Sequence, residues 1–194
     1  MSYADFKLLG LHRFPTNLYM WGDNTNGLLG DNNTPNYFSW SKISSGGLHT
    51  VAIRSDGLLF AWGRNTEGQL GLSDTVHRSS PVQLSATLSW NAVSAGLSHT
   101  VAIKSDSTLW VWGANRYGQL GDGTTVSKSS WVQVGTSSYI AVSSGSNHSL
   151  AINLDNSIWT WGLNNSGQLG DSTITSKSSP VQVTTARVTI ITRR

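Results

Sequence analysis

A ten-residue phrase, Trp-Gly-x-Asn-x-x-Gly-x-Leu-Gly, occurs four times in this chain, at Trp21–Gly30, Trp62–Gly71, Trp112–Gly121 and Trp161–Gly170. The Trp-Gly pairs stand 41, 50 and 49 residues apart. A period of that length restricts the fold to an array of like units, each burying its apolar face against the next. A second phrase, Gly-x-x-His-(Thr/Ser)-(Val/Leu)-Ala-Ile, precedes three of the copies, around His49, His99 and His148. An aromatic residue lies nine positions ahead of each histidine, at Trp40, Trp90 and Tyr139. A third phrase, Ser-Pro-Val-Gln, stands at Ser80–Gln83 and Ser179–Gln182, and in the middle copy Trp131 takes the proline position.

Each unit divides into strands. In the middle copy the alternation predicts strands at Trp90–Ala95, His99–Lys104 and Thr108–Trp112, with a two-residue turn at Asp106-Ser107. The matching turns are Asp56-Gly57 and Asp155-Asn156. A Gly-rich loop from Gly113 to about Ser129 then leads to a fourth strand at Trp131–Val134. Composition agrees with strands and turns. Charged residues make up 12%, Glu occurs once and Lys five times, while there are 30 Ser and 19 Thr, so helix formers are scarce. Four antiparallel strands in about 50 residues is the size of a propeller blade, whereas a β-solenoid rung is shorter, about 20–30 residues. The fold expected is all-β: a β-propeller-type array of about four four-stranded antiparallel blades, incomplete or open. An N-terminal segment over 1–17 precedes repeats over 18–194: a partial blade at 18–38, full repeats at about 40–84, 90–134 and 139–183, and a closing strand at about 187–192.

The composite phrase Trp-Gly-x-Asn-x-x-Gly-Gln-Leu-Gly-Asp, with its upstream Gly-x-x-His-(Ser/Thr)-x-Ala-Ile, closely resembles the regulator-of-chromosome-condensation repeat from about Leu18 to Val183. The resemblance implies a β-propeller, and the chain is too short for the ring of seven blades typical of that family. It also implies nucleotide exchange on a small GTPase, the role of the founding nuclear member, and enzyme inhibition, the role of a secreted branch. Exchange is the weakest of these carry-overs, because it needs a full ring and a long insertion that no copy here contains. Closure of the open edges is expected either within the chain or, by preference, between neighbouring copies as a homo-oligomer or larger assembly.

Chemistry-bearing residues have plainer structural explanations. His49, His99 and His148 recur without a companion carboxylate, so packing inside each blade with a hydrogen bond to backbone is expected in place of a metal site. Asp31, Asp122 and Asp171 suit turn capping better than calcium, and Trp21, Trp62, Trp112 and Trp161 suit core packing better than sugar stacking. Gly63, Gly113 and Gly162 belong to the same structural set. Cysteine is absent, and the single Glu67 offers no carboxylate pair for acid–base work. No nucleophile elbow or phosphate loop stands out, so neither catalysis nor a cofactor is expected.

A net charge of +3 argues against nucleic-acid binding. No run of about 18 apolar residues predicts membrane insertion. A protein or surface glycan is the partner expected, and the loop fillers that differ between copies, Arg64, Glu67, Arg116, Tyr117 and Asn165, are the contact candidates. Arg116 and Tyr117 lead that set. The Ser/Thr/Asn-rich surface, with no secretory signal over Met1–Pro15, favours an exposed virion component, tail- or capsid-associated. A cytosolic bacterial interaction scaffold is the alternative.

Overall fold

Alternating apolar residues and two-residue turns produce strands five or six residues long that recur with the sequence period. The computed structural model describes residues 39–86 and 89–183. The first blade is β1 (Trp40–Ser45), β2 (His49–Arg54), β3 (Leu59–Gly63) and β4 (Arg78–Gln83). The second is β5 (Trp90–Ala95), β6 (His99–Lys104), β7 (Leu109–Gly113) and β8 (Lys128–Gln133). The third is β9 (Tyr139–Ser144), β10 (His148–Asn153), β11 (Ile158–Gly162) and β12 (Lys177–Gln182). Each is a separate antiparallel meander in chain order, with the same register in all three. The partial blade expected at 18–38, the closing strand at 187–192, Trp21 and Asp31 lie outside the described residues.

The hairpin turns carry the backbone that their residues suit. Gly57, Ser107 and Asn156 have φ of +86°, +68° and +65°. In the second and third blades the preceding aspartate accepts the amide and hydroxyl of the residue that follows, as Asp106 does from Thr108. The fourth strand of the middle blade begins at Lys128, earlier than the expected Trp131. Past a bulge, Gly113 stays in the ladder opposite Lys128, which shortens the loop between β7 and β8.

Blades stack through one repeated seam. In the first seam Val51, Ile53, Leu59, Ala61 and Leu70 of the first blade pack on Trp90, Ala95, Ala102 and Trp112 of the second. At its centre the Gln69 carbonyl accepts two bonds from the second blade, one from the Trp112 indole at 2.8 Å and one from the Thr100 hydroxyl at 2.9 Å. The next seam repeats this at the Gln119 carbonyl, with Trp161 at 2.9 Å and Ser149 at 2.8 Å. The indole lies flat on the glycine that closes the preceding phrase: a Cβ at Gly71 would stand 2.9 Å from Trp112 Nε1.

The histidines complete the seam. His49 Nε2 lies 3.0 Å from the Thr100 hydroxyl, and His99 Nε2 lies 2.9 Å from the Ser149 hydroxyl. Each partner is a side chain of the following blade, not backbone of the same blade as the spacing had suggested. Because each hydroxyl gives its one proton to a glutamine carbonyl, the imidazole must donate through Nε2. Nδ1 is then a bare acceptor, buried without a partner in both histidines. Burial holds both neutral: the pKa of His49 falls to about 4 and that of His99 to about 3, where neighbouring histidines add to the effect.

Two outcomes follow for stability. Trp112→Ala should cost about 3–5 kcal/mol by chemical denaturation, since it removes a fully buried indole. Gly113→Ala should cost about 1–3 kcal/mol or more, because φ is +102° and a Cβ would meet the Ser98 carbonyl at 2.6 Å. Gly135→Ala, with φ of +59° and open space around it, should cost less. The second outcome concerns pH. The unfolded histidines titrate near 6.5 and the folded ones near 4 and 3, so the unfolded chain binds the extra protons in that interval. Stability is full above pH 6.5 and should fall by about 1.4 kcal/mol per pH unit per histidine as pH drops towards 4. Unfolding free energies that stay level from pH 7 to 4 would contradict this assignment.

Candidate functional site

The loop after each Trp-Gly pair among the described residues is tied down at its base and exposed at its tip. Asn115 is fully buried and ties the base together. Its Oδ1 accepts the Leu120 amide at 3.0 Å, and the two N–H donors of its Nδ2 are shared among Asp122 Oδ1 at 3.0 Å, the Thr124 carbonyl at 3.1 Å and the Val126 carbonyl at 3.2 Å. Asn164 makes the same set with Leu169, Asp171, Thr173 and Thr175. Gln119 closes the tip by accepting the Tyr117 amide on Oε1 at 2.9 Å, and Gln69 and Gln168 do the same for Glu67 and Ser166.

The aspartates are spent inside this loop. Asp122 Oδ1 also accepts the Thr124 amide and hydroxyl, and Oδ2 lies 3.6 Å from Lys128 Nζ. Burial pulls the Asp122 carboxyl up in pKa, but the Thr124 and Asn115 bonds and the Lys128 ammonium outweigh it and hold it below the usual range. The first blade has Leu72 where the others have aspartate, and there Asp74 takes over, bonding Asn65 at 2.9 Å and Arg78 at 2.6 Å.

At its tip this frame leaves two adjacent residues exposed per blade, Thr66-Glu67, Arg116-Tyr117 and Asn165-Ser166, while farther along the same loops Val76, Val126 and Ile174 are exposed as well. The backbone of the tip pairs is equivalent and their side chains differ. The Arg116 guanidinium lies 5.9 Å from the Tyr117 ring, whose residue is 38% exposed. Arg64 is half-buried and bonds Thr66 at 2.9 Å, while Glu67 meets Ser127 of the next blade at 3.4 Å. In each antiparallel meander the β1–β2 type of turn falls at the same end as these loops. That end holds a hollow of about 270 Å³ lined by Ser45–Gly47, Ala95–Leu97 and Ser144–Ser146, beside which Leu97 is 49% exposed.

Other clusters are already filled by the chain itself. Trp62, Trp112 and Trp161 are at most 1% exposed, so no ring face is open for a sugar. His49 and His99 direct Nε2 into successive seams, and among the described residues no three potential ligands gather as a metal site would require. The middle blade contains an aromatic box that the sequence reading missed. Lys104 Nζ lies 3.5 Å from the Trp110 ring centroid, 4.8 Å from Trp131 and 5.5 Å from Trp90. Lys104 is buried, and that burial lowers its pKa against the pull of Asp106. The signal was available: Trp131 replaces proline in the one blade that has lysine at the end of its second strand.

Asn115→Ala should remove the bond to the Leu120 amide and the Nδ2 donations at once and leave buried partners unsatisfied, at a cost of about 2–3 kcal/mol. Limited proteolysis should then cut within 114–127 before the remainder of the chain; a variant as resistant as the parent would contradict the role given to Asn115.

Comparison with known families matches the regulator of chromosome condensation (RCC1) repeat at residues 56–103, 106–152 and 155–193, which is more than two thirds of the chain. A second signature of the same repeat matches 40–69, 90–119 and 139–168. The first frame runs from the β2–β3 turn of one blade to β6 of the next, and therefore spans a seam. No curated protein sequence matches the chain. Among solved structures, Prp20p of Saccharomyces cerevisiae superposes with a TM-score of 0.75 at 19% identity, over 87% of this chain and 46% of Prp20p. The receptor kinase CR4 ectodomain of Physcomitrella patens gives 0.51 at 21% identity, over 79% of this chain and 35% of its own. Human WBSCR16 gives 0.50 at 17% identity, over 84% and 61%. The chain thus spans less than half the length of Prp20p, and at these identities the likeness is one of fold.

Proposed function

Because this chain belongs to the regulator of chromosome condensation (RCC1) repeat family, we propose that it is a non-catalytic binding module that engages a protein partner through its Trp-Gly loop tips. One observation carries this reading: equivalent, hydrogen-bonded loops hold a different exposed pair in each blade, Thr66-Glu67, Arg116-Tyr117 and Asn165-Ser166. A pre-organised loop loses little entropy on binding, and residues that no packing constraint repeats are free to follow a partner. Tyr117, with Arg116 beside it, is the anchor of the set.

The solved structure of Prp20p was described with its binding to Gsp1p and histones, and another shows Kap60 bound to it. Those partners belong to that protein and support only the partner class. A net charge of +3 suits neither basic histones nor a dedicated nucleic-acid surface. Exchange on a small GTPase is not part of the proposal, since the loops 64–77, 114–127 and 163–176 are of equal length and none is extended. The setting proposed is an exposed virion surface, supported by the low charge and the Ser/Thr-rich composition.

Affinity capture from the host of this chain, with the parent and an Arg116→Ala/Tyr117→Ala variant side by side, tests the reading. Proteins retained by the parent should be lost by the variant, while its melting temperature stays within a few degrees. Identical capture by both would remove the loop tips from the account. Capture of glycans on an array, in place of proteins, would move the partner to a host-surface sugar.

A further inference from the structure

The third blade carries the same seam face as the first two, and among the described residues it is open. Leu59 and Leu109 are 0% exposed where they meet the following blade, whereas Ile158, at the same position, is 41% exposed. Leu150 and Ile152 are half-buried where Val101 and Ile103 are sealed. With Val142 they line an apolar hollow of about 190 Å³. The Gln69 and Gln119 carbonyls each receive an indole and a hydroxyl, yet among the described residues no donor reaches the Gln168 carbonyl. Gly68 and Gly118 stand against the backbone of Ser129 and Ser178 in the following blade, while a Cβ on Gly167 would meet none of the described residues within 4 Å.

This face specifies its occupant. A bare carbonyl, a glycine floor at Gly170 matching the floors under Trp112 and Trp161, and an aliphatic wall fit another Trp-Gly strand of the same repeat. Trp112 and Trp161 fill the internal seams and Trp62 is 1% exposed, which leaves Trp21 of the four. The Trp21 indole is then the donor that Gln168 would receive.

We propose that the open face of the third blade docks the Trp21 repeat segment, residues 18–38, of a second copy of this chain, joining two copies head to tail. The share of a full ring that the chain covers favours a second copy over the segment of the same chain. The chain superposes on 46% of Prp20p, so two arcs of this span make up most of one ring of that kind. Two identical head-to-tail seams related by a two-fold axis then cover both open edges. This inference does not rest on the loop tips as a binding surface.

Light scattering on the intact chain reads the mass directly. The expected value is twice the 20.9 kDa of one chain, falling to 20.9 kDa for Ile158→Asp. Gly167→Asn guards against a variant that fails to fold. Asn tolerates the φ of +73° at that position, its side chain would meet none of the described residues of its own chain, and in a docked seam it would strike backbone as at Gly68 and Gly118. It too should run at 20.9 kDa with an unchanged far-UV spectrum. An intact chain at 20.9 kDa overturns the proposal, whether its third blade is bare or covered by residues 18–38 of the same molecule. A doubled mass that survives Gly167→Asn overturns it as well.

Discussion

One backbone carbonyl per blade, that of Gln69 or Gln119, bears the junction on which the array depends. It is buried between two blades and receives two donors from the following one. A buried carbonyl without donors would cost about 1–3 kcal/mol, so the seam is satisfied only when the next blade arrives in register. The imidazole of the earlier blade then bonds the same hydroxyl, and each blade therefore holds its successor through a closed chain of polar contacts set within an apolar wall.

That junction explains most of the repeated phrase. Trp supplies the indole, the glycine after it keeps the ladder going at positive φ, and Asn organises the loop that leads to the carbonyl. Gln closes the tip with its side chain while offering its carbonyl to the neighbour, and the last glycine makes room for the incoming indole. The residues that vary stand outside this junction, although Glu67 also reaches Ser127 of the following blade. One loop thus carries both the fixed residues of the junction and the variable, exposed fillers at its tip.

The all-β array of four-stranded units was legible in the sequence because strand alternation, turn dipeptides and period agree at every level. Burial of the Trp-Gly tryptophans followed from their place in a strand beside glycine. The direction of the histidine bond did not, since spacing places His49 within its own blade but says nothing of Thr100, 51 residues on. The role of the glutamine carbonyl was equally hidden, because a main-chain acceptor leaves no side-chain signature. The start of β8 was misplaced for a related reason: a bulge lets Gly113 pair on, and glycine in a loop-like phrase reads as an ending. Residues 64, 67, 116, 117 and 165 were singled out by their variation between copies alone, a signal that is silent on the identity of a partner.

The central claim, that blades are coupled through the histidine–hydroxyl–carbonyl chain, is tested most directly by a double-mutant cycle on His49→Ala and Thr100→Val. The two residues lie in different blades, and valine keeps the shape of threonine while removing its hydroxyl. Equilibrium unfolding of the parent, both single variants and the double variant yields the coupling energy. The account expects about 1 kcal/mol or more, within the range found for contacting residues in one hydrogen-bond network. Losses that add to within about 0.3–0.5 kcal/mol, as distant sites do, would contradict it.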